Sequence, residues 1–108
     1  MKTADRPDVT AFLALLNSMP KPDFATVTAE TMRTMNVAMI ALAELDAEPL
    51  ALIKNLEIPG PAGIIPARLY DAREARDPGP VMVFYHGGGF VIGSLDTYES
   101  YCVAAAHA

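Results

Sequence analysis

The stretch that decides the fold is Val81-Met82-Val83-Phe84-Tyr85-His86-Gly87-Gly88-Gly89-Phe90. Its first five residues form a continuous apolar run, the mark of a strand covered on both faces, where alternation is unnecessary because neither face meets water. Three consecutive glycines follow. Each costs roughly 0.5–1 kcal/mol in chain entropy, so a backbone demand is expected there, either a positive φ or the close approach of another group. Farther on, Asp96 is a candidate cap for a helix, with Glu99 at the reciprocal position of a capping box and Tyr98 to Ala108 as the body. The order is buried strand, glycine loop, helix.

Upstream of the strand, Leu52 to Ile58 has β-type composition and Pro59-Gly60-Pro61-Ala62-Gly63 supplies turn chemistry. Ile65, Ala67 and Leu69 then alternate with Pro66, Arg68 and Tyr70, which predicts a hairpin whose Ile65 face is buried. Asp71 to Pro80 is polar and ends in Asp-Pro-Gly-Pro, a surface loop.

The first half reads as helical. Asp8 follows Pro7 as a plausible N-cap, and Val9, Phe12, Leu13 and Leu16 share one helical face. Asn17 to Pro22 breaks that helix. A second is expected from near Thr28, with Glu30 in its first turn, ending before Glu48-Pro49 because the residue before a proline avoids the α region. Its stripe is Met32, Met35, Met39 and Leu42. These side chains either pack as an ordinary amphipathic face or line an adaptable pocket wall, since an unbranched thioether reshapes around varied groups. The periodicity fits both.

Composition bounds the function. The 108 residues are 52% hydrophobic and 19% charged, which excludes a disordered chain, and no apolar run approaches the 18 or so residues of a membrane span. The charged N-terminus, Met1 to Asp8, lacks the apolar region of a secretory signal, so a cytoplasmic setting is expected. A net charge of −5 argues against a nucleic-acid partner. Lone Cys102 can build no intrachain disulfide and reads as a buried helical thiol. Two separated histidines and one cysteine form no metal-ligand cluster, and no cofactor is implied.

The glycine loop can be tested against nucleotide motifs. In G-x-G-x-x-G, counting from Gly87 and Gly89 puts Ile92 where the third glycine belongs; in the P-loop pattern Gly88 and Gly93 are correctly spaced, but Ser94 stands in place of the lysine. Both fail. What remains is acyl transfer, because the run resembles the HGGG oxyanion loop of lipases and esterases of the α/β-hydrolase fold. More narrowly, the chain resembles the N-terminal third or so of the hormone-sensitive-lipase-like (bacterial family IV) carboxylesterases. Two N-terminal helices, the phrase Ile58-Pro59-Gly60-Pro61-Ala62-Gly63 and the run His86 to Thr97 carry the likeness. Common family residues are replaced at Ser94, where Asp is frequent, and at Tyr98, where His is frequent.

The resemblance implies the N-terminal part of an α/β-hydrolase fold, incomplete as a domain. Residues 1–48 would form cap helices; residues 49–108 would begin the catalytic domain with three strands, the oxyanion loop and its first helix. It further implies that the Gly88 and Gly89 amides are oxyanion donors, that His86 braces the loop, and that Gly87 and Phe90 wall the substrate pocket, with Met32, Met35 and Met39 as weaker candidates. Broad short-to-medium esters, with tolerance of bulky alcohol groups, are the implied substrates.

An oxyanion hole acts only after a nucleophile has attacked. No G-x-S-x-G elbow surrounds Ser18, Ser94 or Ser100, and in this fold serine, acid and histidine follow the HGGG loop in that order. His107 has no elbow serine before it and reads as a helix C-terminal residue. The segment alone is therefore expected to be inactive, its partners being a small-molecule ester and the remainder of the hydrolase, in the same protein or a second chain, with homo-oligomerisation left open. Two rivals are a receptor-like binding protein on the same fold that has lost its triad, and a stand-alone interaction module.

Overall fold

A computed structural model describes residues 6–44 and 46–108. Five elements follow in order: α1 (Pro7–Ser18), α2 (Ala29–Ala43), β1 (Leu52–Gly60), β2 (Gly63–Asp71) and α3 (Glu99–His107).

Helix α1 starts two residues earlier than its capping pattern suggested, with Arg6 and not Asp8 at the N-cap. Pro7 occupies the first helical position, where its fixed φ is preset and its missing N–H is no loss. Asp8 is thereby drawn into the first turn, where its carboxylate pairs with Arg6 instead of capping. Helix α2 begins as expected: the Thr28 hydroxyl accepts from the Thr31 amide at 3.1 Å. Neither helix lies against another helix or strand, and neither buries a residue fully.

The hairpin is antiparallel, in register from Leu52 opposite Asp71 to Gly60 opposite Gly63, which narrows the turn to Pro61-Ala62. Its covered face is not the expected one. Helix α3 packs on the side of Arg68 and Tyr70, so the period of two leaves Ile65 and Leu69 facing outward and exposed. The Arg68 side chain is only 12% exposed. From beside β1 it takes Asn55 Oδ1 at 2.7 Å, and from the chain entering α3 it takes Asp96 Oδ1 at 2.8 Å and the Glu99 carboxylate. Asp96 and Glu99 are thus clasped to the sheet and form no capping box; Tyr98 stands at the N-cap without a side-chain bond. The Asp96 contact, ahead of all others, raises the Arg68 pKa further. Burial pushes up the Tyr70 hydroxyl, with Arg68 opposing the shift, and no described residue stands at hydrogen-bonding geometry to it.

At the end of β2, Asp71 gathers Arg73 and Arg76. The Arg73 hydrogen bonds hold its carboxyl down at about 2, so this contact persists until pH falls below the ordinary carboxylate value of 3.8 and toward 2.

The expected third strand does not form. Val81, Met82, Val83 and Tyr85 are 79, 71, 68 and 87% exposed, and no described segment pairs with them. A strand apolar on both faces needs neighbours at its edges and over its faces, and the described residues supply none. Phe84 alone turns inward, onto Tyr101 at 4.9 Å and Tyr98 at 5.8 Å. Val103 of α3 is the one fully buried residue among those described. The surface of 9091 Å² well exceeds the roughly 5,800 Å² of a compact protein of this mass. The radius of gyration, 17.5 Å, likewise exceeds the roughly 13 Å expected.

With so little apolar burial, Arg68 should matter out of proportion. In the full-length protein, Arg68→Met is expected to cost about 1.5–3 kcal/mol by denaturant titration, the range for hydrogen bonds to charged groups. Arg68→Lys should recover less than half, because an ammonium cannot span Asn55, Asp96 and Glu99 together.

Candidate active site

The loop from His86 to Gly93 is a succession of left-handed backbone positions. Gly88, Gly89 and Gly93 have φ of 132°, 60° and 97°, and Phe90, which has a side chain to accommodate, has φ of 61°. A non-glycine residue there costs roughly 1–2 kcal/mol, so the surrounding bonds must hold it. They do so through one acceptor: the Val91 and Ile92 amides both donate to Gly88 O at 3.1 Å. This fold-back leaves no room at Gly88, where a Cβ would stand 2.0 Å from Ile92 O. At Gly93 a Cβ would meet His86 Nδ1 at 2.6 Å.

His86 sits against the loop's inner side. Its Nδ1 donates to Gly87 O at 2.7 Å, since a carbonyl can only accept, which fixes the Nδ1–H tautomer in the neutral ring. The ring stacks on Tyr98 with centroids 5.3 Å apart. Thus Tyr98, one of the two departures from the family pattern, supports the loop histidine. The other, Ser94, closes a reciprocal turn: its amide donates to Thr97 Oγ1 at 2.8 Å, and the Thr97 amide donates to Ser94 Oγ at 3.2 Å.

The amides of Gly88 and Gly89 donate to no acceptor among the described residues. Two adjacent free N–H groups on a strained turn are suited to an anionic oxygen. They border an open cavity of about 440 Å³ lined by His86 to Gly93 and by Arg33 of α2. Phe90 lies at its edge with its ring fully exposed. Behind the loop a smaller space of about 210 Å³ lies among Asn36, Ile40, Ile92, Tyr98 and Tyr101.

Helix α2 therefore meets the loop with a stripe other than its methionines. Arg33, Asn36, Ile40 and Glu44 line the two cavities, whereas Met32, Met35 and Met39 line neither. Arg33 Nε donates to Val91 O at 2.8 Å. Sequence reasoning missed Arg33, and no local signal could have found it, since a lone arginine on a helix carries no spacing rule.

Elsewhere, burial and then Glu99 push the Cys102 thiol up, away from reactivity. His107 ends α3, 3.9 Å from Glu48. No three of the described His, Cys, Asp and Glu residues are grouped to hold a metal, and no described helix is long and apolar enough to cross a membrane.

Comparison with known proteins supplies the family. The chain is 38% identical over 113 residues to the carboxylesterase NlhH of Mycobacterium tuberculosis, an alignment covering 98% of the chain and 33% of that protein. The chain belongs to the α/β-hydrolase superfamily, with carboxylesterases as its relatives. A second relative, the carboxylic ester hydrolase LipN of the same organism, is 50% identical over 50 residues, covering 46% of the chain and 13% of LipN. Among solved structures, an esterase of Pyrobaculum calidifontis superposes with a TM-score of 0.68 at 29% identity, covering 88% of this chain and 30% of that one. No family model matches. The chain thus spans about a third of the length of NlhH and of the Pyrobaculum calidifontis esterase.

The loop geometry separates two of its glycines. Gly88→Ala in the full-length protein is expected to destabilise by about 3 kcal/mol or more, because backbone must move, and Gly89→Ala by about 1 kcal/mol, the left-handed penalty alone. Denaturant titrations of the two variants check the order.

Proposed function

We propose that these residues are the N-terminal portion of a serine carboxylesterase of the hormone-sensitive-lipase-like family, acting on short-to-medium carboxylic esters. In this reading residues 1–48 carry the cap helices, residues 49–108 begin the catalytic domain, and the Gly88 and Gly89 amides stabilise the oxyanion of the tetrahedral intermediate. The observation that carries it is the pair of free, adjacent amides beside an open cavity. His86 braces the loop through Gly87 O, and Phe90 walls the substrate side.

Nucleophile, acid and base come from the remainder of the hydrolase. That remainder also covers the apolar run Val81 to Tyr85 and the outer faces of α1 and α2, which are exposed. The relatives named above are hydrolases, which favours an enzyme over a receptor-like protein.

The test is turnover of p-nitrophenyl butyrate by the full-length protein. Gly88→Ala keeps its N–H but forces the backbone to move, so it should lower kcat by about 100-fold or more while KM changes little, as for an oxyanion donor moved out of place. An unchanged kcat removes the assignment. Residues 1–108 expressed alone should show no turnover sensitive to a serine-directed phosphonate. Binding of the ester without turnover by the full-length protein would favour the receptor-like alternative.

A further inference from the structure

Arg33 stands at the head of a chain of hydrogen bonds that ends at the oxyanion site. Its Nε donates to Val91 O at 2.8 Å. The Val91 carbonyl and the Ile92 N–H belong to one rigid peptide unit, and that N–H donates to Gly88 O at 3.1 Å. The Gly88 carbonyl and the Gly89 N–H belong to the next such unit, and the Gly89 N–H is free. The orientation of one peptide plane therefore sets that of the other.

We propose that Arg33 is a positioning residue for catalysis: through the Val91–Ile92 and Gly88–Gly89 peptide units it fixes the direction of the Gly89 N–H. The proposal rests on the oxyanion reading given above. Each hydrogen bond in such a chain also strengthens the next, and a cationic donor at its head pulls electron density away from the free N–H, which makes it a better donor to an anion. The loop needs this external hold. Phe90, the residue before Val91, has φ of 61°, and the Val91 and Ile92 bonds to Gly88 O are the turn's internal closures. Helix α2 lies against no other helix or strand, so Arg33 is its hydrogen-bonded tie to the site.

The identity of the donor atom makes the idea sharp. Nε of arginine and Nε2 of glutamine lie the same number of bonds from the Cα, whereas lysine and methionine place a carbon there. Three full-length variants, Arg33→Gln, Arg33→Lys and Arg33→Met, should be compared for kcat and KM on neutral esters and on esters with a carboxylate in the acyl chain. Arg33→Met is expected to lower kcat about tenfold or more on both ester types with KM within about threefold, and Arg33→Gln to stay within about threefold of wild type. Arg33→Lys should fall between them. A loss confined to the anionic esters would assign Arg33 to direct substrate contact and overturn the proposal, as would a Gln variant as slow as Met. Amide hydrogen exchange gives a readout that needs no activity: Ile92 should exchange faster in Arg33→Met and return toward wild type in Arg33→Gln. Unchanged Ile92 exchange in Arg33→Met refutes the relay by itself. A wild-type protein without turnover, but with the expected exchange pattern, would instead count against the esterase reading alone.

Discussion

One guanidinium joins the parts of this structure. Arg68 projects from β2 and receives oxygens from Asn55 across the hairpin, from Asp96 before α3 and from Glu99 in its first turn. Val103 is the single fully buried residue among those described, so apolar packing does little to set the helix against the sheet. A planar fork with five fixed donors can satisfy three acceptors at once and so fixes direction as well as distance. The start of α3 inherits that direction, and the Ser94–Thr97 turn and the Tyr98 ring, which stacks on His86, inherit it from α3. The glycine loop is thus suspended between two arginines, Arg68 acting through α3 and Arg33 acting directly on Val91.

That suspension accounts for the loop's composition. Folding Gly88 O back onto the Val91 and Ile92 amides turns the preceding amides away from any internal acceptor. Free N–H groups are costly in a buried site unless water or a ligand meets them, and here they open on a cavity. The same fold-back brings Ile92 O so close that Gly88 has no space for a Cβ. Gly89 is favoured by its dihedral angle alone, since a Cβ there would meet nothing.

The open surface has a consistent physical sense. An apolar run as exposed as Val81 to Val83 is not stable against water by itself, and contiguous apolar patches of this kind mark surfaces that another segment covers. The chain matches a third of the length of a carboxylesterase and 30% of a solved esterase, and in the proposed reading the rest of the hydrolase sheet is what covers the run.

Much was legible in the sequence because it depends on neighbours a few residues apart. The Thr28 cap, the hairpin between Leu52 and Asp71, the demand for glycine after His86 and the absence of an elbow serine all follow from short-range rules. The first helix starts two residues before the position that Asp8 suggested, because Pro7 outranked Asp8 in setting the start. Where packing chose, local pattern failed. Asp96 and Glu99 have the spacing of a helix start but serve Arg68, 28 and 31 residues away, and the Ile65 face lost to the Arg68 face because α3 came to rest there. Arg33 and Val91, 58 residues apart, meet only once α2 and the loop have been placed. Residue types and their spacing determined the helices, the hairpin and the glycine loop, but not that Val81 to Tyr85 stays unpaired among the described residues; the tertiary structure decided that, which faces are covered and which side chains hold the loop, because those contacts join residues that no local period relates.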